Sequence, residues 1–290
     1  MLMKAEIDKI EAFISNYVQD DETVVILVSG GLDSDVTARL CHRALGKERI
    51  KLCMILQSEM EDKFKRQALE LAEDLSVELV QIHLEDMNRT LISALEEAET
   101  EGVFRSDTLL DPAKAKCSLR SAVISCYQDK GFLIAGTTNK TEKLLGFFLT
   151  FGDNLANFKP LAHLYRTQVI AMAKELGTHQ EVISQEASSG FWEGQTDAED
   201  LAYWIVNQGP ILSPRDFTKQ EITYADSIKR NLTAENVDGI LKLYELGKPA
   251  VETASKMEMD ADIVKGIYII ADKAPKYKTR NILAELEKES

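Results

Sequence analysis

Two runs of polar residues have the composition and spacing needed to bind a phosphate group and a metal ion. The first run, Ser29-Gly-Gly-Leu-Asp-Ser34, follows the apolar residues 24–28, which predict a buried strand because four of the five are β-branched. A strand, a glycine turn and a helix N-terminus form an anion site, since free backbone N–H groups and the positive end of the helix dipole face the turn. The first run therefore predicts a phosphate-binding turn.

The residue types within this run suit that chemistry. Gly30 and Gly31 would let the backbone approach a phosphate closely. Ser34 would cap the helix or donate to the phosphate, and Asp33 would hold a metal ion that the phosphate shares. A structural glycine turn capped by Ser or Asp would use the same residues, and the residues of the turn alone leave that interpretation open.

The second run, Gly136-Thr-Thr-Asn-Lys-Thr-Glu142, follows the short apolar stretch 132–135. Strand and helix patterns alternate between the two runs, which predicts an α/β fold with a doubly wound parallel sheet and helices on both faces. Ligands of such sheets bind beyond the carboxyl ends of the strands. The residues that follow the two strands should therefore face one pocket.

Hydrophobic spacing predicts the other elements. Helices are expected over residues 3–18, 33–45, 60–75, 87–98, 119–127, 167–176 and 196–206, and strands over 50–56 and 77–84. Thr196 and Glu199 have the spacing of a capping box. The polar segment 100–116 contains Asp111-Pro112 and is expected to be a loop and a candidate lid, while segments 137–160 and 184–196 are expected to be irregular.

The chain changes character beyond Pro214, where the spacing predicts helices over 233–246, 249–257 and 261–271. We expect an α/β domain over residues 1–215 and a helical C-terminal appendage over 216–290. Residues 249–271 have the layout of a helix-turn-helix. The second of these helices is mostly apolar, which favours packing over nucleic-acid recognition.

The composition narrows the function classes. The 290 residues are 44% hydrophobic and 28% charged, which is typical of a globular protein, and the net charge of −14 argues against a nucleic-acid partner. The four cysteines form no Cys-x-x-Cys pair, which argues against zinc, and Cys117 has no nearby His to make it a nucleophile. We expect a cytoplasmic protein without a membrane partner, because no stretch has the pattern of a signal peptide or a membrane span.

The Ser29 run resembles the signature of the ATP pyrophosphatases, which split ATP between its α- and β-phosphates and activate an acid as its AMP ester. It is followed by the Gly136 run, by Phe151-Gly-Asp153 and by Trp192-Glu-Gly-Gln-Thr-Asp197. In this order the runs resemble the ammonia-dependent NAD synthetases, from about residue 5 to about residue 275.

This resemblance implies a two-step reaction. The carboxylate of deamido-NAD attacks the α-phosphorus of ATP and pyrophosphate leaves, and ammonia then displaces AMP to form the amide. Glutamine-using relatives carry a further amidase domain, so free ammonia, or ammonia from a separate partner, is the expected source of nitrogen. The resemblance also implies Mg²⁺ as the metal and a homodimer as the assembly.

The resemblance also implies residue roles. Asp33 and Glu142 would be the catalytic residues and the metal ligands. ATP contacts are expected at Ser29, Gly30, Gly31, Ser34, Thr137, Arg166 and Ser188, where Arg166 takes the place of the usual Lys. Substrate contacts are expected at Arg120, Thr150 and Asn157.

The acid-binding positions depart from the family pattern. Thr150 replaces a Lys, Asn157 replaces an Asp, and Arg120 is the one member left of an Arg-x-Arg pair. The C-terminal stretch 272–280 is basic but lacks the family's His. These departures favour a second hypothesis, the same chemistry on a different carboxylic acid. A third, a tRNA-modifying relative, would need catalytic cysteines and a basic RNA-binding face, which the composition disfavours.

Overall fold

The computed structural model describes residues 2–57, 60–99, 101–108, 110–148, 152–190, 192–212 and 215–278. Within these ranges the strands are β1 (Val24–Leu27), β2 (Ile50–Leu56), β3 (Leu79–His83) and β4 (Leu133–Ala135). They form a parallel sheet in the order β3-β2-β1-β4, in which Val24 pairs with both Ile50 and Leu133. The predicted parallel sheet is confirmed.

Helices surround this sheet. They are α1 (Leu2–Tyr17), α2 (Leu32–Leu45), α3 (Asp62–Leu75), α4 (Met87–Ala98), α5 (Leu110–Gln128), α6 (Lys140–Leu145), α7 (Arg166–Leu176), α8 (Gln180–Ser184), α9 (Asp197–Val206), α10 (Lys219–Lys229), α11 (Ala234–Glu245), α12 (Ala250–Met257) and α13 (Ala261–Lys278). Among the helices of the described ranges, none combines the length and the hydrophobicity that a bilayer crossing requires.

Both faces of the sheet are covered, as a doubly wound fold requires. Val24 and Ile26 of β1 face a core shared with α1, α2, α3 and α7. Val25 alternates to the other face, where it packs with Ile134 of β4 and Ile124 of α5. This alternation follows from the period of two in a strand, and it explains why β1 is apolar at every position.

The prediction of a loop and candidate lid over residues 100–116 is wrong for the second half of that segment, because α5 begins at Leu110. Pro112 lies in the first turn of this helix, where backbone N–H groups have no intrahelical partner and proline is tolerated. The Asp111 carboxylate accepts from the backbone N–H of Arg105 at 2.9 Å and joins the preceding segment to the helix. Cys117 lies in the same helix and is buried.

Three short helices escape the sequence patterns. Segment 137–160 is less irregular than expected, since α6 lies in it, whereas the described residues of 185–196 are irregular as expected and α8 lies just before them. The third helix, α10, buries few apolar side chains, Ala225 and Ile228, so its hydrophobic stripe is weak. The Thr196 hydroxyl caps α9 by accepting from the Glu199 N–H, but the Glu199 carboxylate bonds Lys229 instead of completing a capping box.

The C-terminal helices form a second core. Ile263, Val264, Ile267 and Ile270 of α13 are fully or almost fully buried, against residues of α9, α11 and α12. The apolar face of α13, the second helix of the helix-turn-helix layout, is therefore a packing face, as expected. This core also includes Leu145 of α6, which lies beside the second polar run. The domain boundary near residue 215 stays a prediction.

Candidate functional site

The glycine turn at the end of β1 is held by its own serines. The Ser34 hydroxyl accepts from the Ser29 N–H at 3.1 Å and donates to the Gly31 carbonyl at 2.9 Å. The Ser29 hydroxyl accepts from the Gly31 N–H at 3.2 Å. Ser34 therefore does not cap α2, whose N-cap is Gly31 without a side-chain bond. A phosphate at this turn would replace serine hydroxyls as the partner of two backbone N–H groups.

Gly30 is required for a packing reason that the sequence does not reveal. Its φ of +78° lies in the left-handed region, and a Cβ there would lie 2.2 Å from the Phe64 carbonyl oxygen at the start of α3. Gly31 is less restricted, since its Cβ would meet only the Ser29 hydroxyl at 3.2 Å. The two glycines thus have different roles in the turn.

The two polar runs meet, as predicted, through Asn139. Its amide Nδ2 donates to Asp33 Oδ1 at 3.0 Å. Asn139 is also the N-cap of α6, where its Oδ1 accepts from the Glu142 N–H and its own N–H donates to Glu142 Oε2 at 3.1 Å. One buried amide therefore fixes both expected metal ligands, although the two lie on different elements.

Arg166, the first residue of α7, reaches the same place. Its guanidinium forms an ion pair with the Asp33 carboxylate, and the two side chains are only 12% and 15% exposed. Burial lowers the pKa of the guanidinium, but the surrounding carboxylates outweigh burial and leave it raised. A buried, fixed cation at the edge of the turn suits a ligand that carries several negative charges.

Negative charge is concentrated around this cation. Burial, with Asp33 and Asp197 nearby, holds the pKa of Glu142 well above its usual range. Burial also raises the pKa of Asp197, at the start of α9, to about 6, and Asp33 adds to this while Arg166 opposes it. The carboxylates of three elements therefore repel one another in a poorly solvated space.

A divalent cation would relieve this repulsion, so the residues fit Mg²⁺. Asp33 and Glu142 would provide the hard oxygen ligands that Mg²⁺ prefers. Among the described residues, no group of three or more His, Cys, Asp or Glu side chains is arranged to hold a metal ion. Proteins commonly bind Mg²⁺ through one or two carboxylates and leave its remaining positions to substrate phosphates and water.

An open pocket lies on the α5 side of the two strand ends. Its lining is mostly apolar and includes Val28, Ile124 and Ile134. Its lining also includes the polar residues Ser29, Thr137 and Arg120. A flat apolar ring attached to a phosphate at the turn would fit this shape. Arg120, expected on the acid side, therefore shares a pocket with two expected ATP contacts.

Two of the other expected contacts, Asn157 and Ser188, form hydrogen bonds within their own surroundings. Asn157 is exposed, and its Oδ1 accepts from the Ile134 N–H at 2.8 Å and from Gln128 at 3.1 Å, which extends the edge of β4. The Ser188 hydroxyl accepts from the Gly190 N–H in its own loop at 3.0 Å. Thr150 lies outside the described residues. The roles of all three stay predictions.

Two residues of the site received no role from the sequence. Asn139 stands three residues before Glu142, so the pair has the spacing of a helix N-cap and its N3 acid. This spacing alone could have predicted the start of α6 and the bond between the two residues. Asp197 follows Thr196 and reads as an ordinary acidic residue in the first turn of a helix. Only the fold places it beside Arg166.

The raised pKa values predict a pH dependence of stability. Burial and Asp197 raise the pKa of Asp200 to about 7, so between about pH 4 and 7 the folded state holds a proton that the unfolded state has lost. The free energy of unfolding should therefore fall across this range, and Asp200→Asn should remove that part of the fall. Urea unfolding at several pH values measures the difference between variant and wild type, which should grow with pH. A constant difference would contradict the assignment.

The sheet topology and the Ser-Gly-Gly-x-Asp-Ser turn after β1 define the class of PP-loop α/β proteins. Over residues 6–234 the chain matches the sequence model of the NAD synthase family, and it belongs to that family. An NH3-dependent NAD⁺ synthetase from Methanocaldococcus jannaschii is 28% identical over 274 residues, which cover 93% of each chain. The chain is therefore a ligase that forms carbon–nitrogen bonds.

Two solved structures share the fold. An NH3-dependent NAD synthetase from Campylobacter jejuni has a TM-score of 0.67 at 24% identity, covering 98% of this chain and 100% of that one. An NMN synthetase from Francisella tularensis has a TM-score of 0.72 at 22% identity, covering 98% of each chain. At these identities the likeness establishes the architecture only.

Proposed function

We propose that this ligase activates a carboxylate with ATP and then transfers ammonia to it, with deamido-NAD as the default acid and NAD as the product. The observation that carries the proposal is the cluster of Asp33, Asn139, Glu142 and Arg166 beside the glycine turn. Such a cluster combines a phosphate-binding turn, a buried cation and two carboxylates, which are the groups that phosphoryl chemistry needs.

The chemistry proceeds in two steps. A carboxylate oxygen of the acid bonds to the α-phosphorus, and the bond from that phosphorus to the oxygen bridging the β-phosphate breaks. Ammonia nitrogen then bonds to the acyl carbon, AMP leaves with the electrons of its bond, and one proton is lost to the medium. The turn and Arg166 hold the phosphates in line during the first step.

Asp33 and Glu142 would hold Mg²⁺, which would neutralise charge on the departing pyrophosphate. The N–H groups of the turn face the same phosphates, and each is freed when a serine hydroxyl rotates away. The apolar pocket beside Thr137 would receive the adenine ring and exclude water from one side of it. A homodimer and a cytoplasmic location stay predictions.

A second acid is worth testing, the mononucleotide whose amide is NMN. Where the family has a carboxylate, Asn157 is neutral, and its Oδ1 is engaged by β4 and Gln128. The acid side therefore has fewer charged groups for a long dinucleotide, and a shorter acid needs fewer contacts. A protein of this fold is an NMN synthetase, which makes nicotinate mononucleotide the chosen comparison.

One assay tests both acids. Pyrophosphate and amide are measured with ATP, Mg²⁺ and ammonium, in the presence of deamido-NAD, of nicotinate mononucleotide or of no acid. We expect pyrophosphate release to require an acid and Mg²⁺, and the amide to require ammonium. The ratio of the two kcat/KM values identifies the preferred acid. Pyrophosphate release that is the same with and without every acid would contradict the proposed function.

A further inference from the structure

A carboxylate from the C-terminal helices reaches the base of the proposed site. Asp238 of α11 is 1% exposed, and both of its oxygens are used. Its Oδ1 accepts from the Thr141 hydroxyl at 2.6 Å, and its Oδ2 accepts from the Thr167 N–H at 2.8 Å. Thr141 directly precedes Glu142, and Thr167 directly follows Arg166.

The Thr141 hydroxyl closes the network. It donates to Asp238 and accepts from the Arg166 N–H at 2.9 Å, so one hydroxyl joins α6, α7 and α11. The backbone N–H groups of Arg166 and Thr167 lie in the first turn of α7 and have no partner within that helix. A carboxylate there is also favoured by the positive end of the helix dipole.

This network constrains two groups of the site at once. The backbone of Arg166 is held at the point from which its side chain reaches Asp33. The first turn of α6, which carries Glu142, is held from the same carboxylate through Thr141. A second connection joins α11 to α6 and α7. The Glu245 carboxylate of α11 accepts from the Tyr165 hydroxyl, at the start of α7, and forms an ion pair with Lys140 of α6.

We propose that Asp238, through Thr141 and Thr167, is a positioning residue that sets the distance between Arg166 and the Glu142 helix. Neither Asp238 nor Thr141 is expected to touch the substrates. The inference rests on the proposed function, because that function gives Arg166 and Glu142 their roles. Under this proposal the C-terminal helices contribute to ATP turnover as well as to the stability of the fold.

The test compares two chemically identical substitutions. Thr141→Val removes the hydroxyl that joins the three helices, whereas Thr253→Val removes a hydroxyl that bonds Tyr268 at 2.8 Å within the C-terminal core. The two threonines are 8% and 0% exposed, so both changes remove a hydroxyl from a buried place, and in the control Tyr268 keeps its bond to the Lys248 carbonyl oxygen. Thr141→Ser restores the hydroxyl, and Asp238→Asn keeps the shape but replaces one acceptor by a donor.

We expect Thr141→Val and Asp238→Asn to lower kcat/KM for ATP by about tenfold to a hundredfold, because small misplacements of a catalytic group have effects of that size. Thr141→Ser should stay within about threefold of wild type. Thr253→Val should lose thermal stability but keep kcat/KM. A Thr141→Val enzyme that matches Thr253→Val in both measurements would overturn the proposal.

A second readout separates this inference from the proposed function. ATP with Mg²⁺ raises the melting temperature by mass action if it binds the folded state. The rise should be smaller in Thr141→Val than in Thr253→Val, whichever acid the enzyme uses. If wild type releases no pyrophosphate with any acid, the proposed function fails while this comparison still decides whether the network positions Arg166. Equal rises in the two variants would count against positioning.

Discussion

Asp33→Asn is expected to reduce the rate of pyrophosphate release by about 10²–10³-fold, because it removes a negative charge from the centre of the cluster. The asparagine keeps the size of the side chain and still accepts from Asn139. Its amide, however, would point one donor at the Arg166 guanidinium, whose ion pair with Asp33 is lost. The rate is measured at saturating ATP over a range of Mg²⁺ concentrations, and the Mg²⁺ requirement should rise.

The matched control lies two residues along the same helix. Asp35 is 4% exposed and bonds Arg39 at 2.8 Å and Thr178 at 2.5 Å, away from the Glu142 helix. Asp35→Asn should therefore cost about 1–3 kcal/mol of stability and leave the rate of the folded enzyme close to that of wild type. If Asp33→Asn keeps more than a third of the wild-type rate, Asp33 has no part in the proposed chemistry. An equal loss of rate in Asp33→Asn and Asp35→Asn would lead to the same conclusion.

The fold was predictable because its long elements repeat a simple pattern. β2 (Ile50–Leu56) and α4 (Met87–Ala98) have the bounds that their apolar spacing predicts, since burial of one face requires a regular period. The short helix α6 escaped because six residues contain less than two turns. Pro112 was misleading because a proline in the first turn of a helix resembles a proline that breaks one.

The site was predictable in its parts but not in its connections. The meeting of the glycine turn and the Gly136 run was predicted because each follows a strand and such ends converge in a parallel sheet, whereas the role of Glu142 came from the family resemblance. The bond from Asn139 to Asp33 joins residues 106 positions apart, and the bond from Thr141 to Asp238 spans 97. The local hydrophobic spacing of a sequence does not predict such a contact, since the contact depends on how the helices pack. The substrate contact that the family resemblance implies for Asn157 stays a prediction, and in the structure its Oδ1 accepts from the backbone of β4.

Gly30→Ala is expected to destabilise the protein by about 2–5 kcal/mol. Left-handed backbone costs an L-residue about 1–2 kcal/mol, and forcing a methyl group into a filled space costs about 1–3 more. The new Cβ would lie 2.2 Å from the Phe64 carbonyl oxygen, which belongs to backbone and cannot rotate away. Either α3 or the glycine turn must move, so pyrophosphate release should fall in the molecules that remain folded.

Gly46→Ala separates the two causes of that loss. Gly46 has the same φ of +78°, with a ψ of 162° that essentially only glycine adopts, but no atom lies within 4 Å of a Cβ built there, so it should show a backbone cost alone, about 1–3 kcal/mol. The difference between the two variants, measured by urea unfolding, is then the cost of the contact with Phe64. If Gly30→Ala and Gly46→Ala destabilise equally, close packing against α3 is not what requires glycine at position 30. The phosphate-binding turn would then be the better reason for that residue.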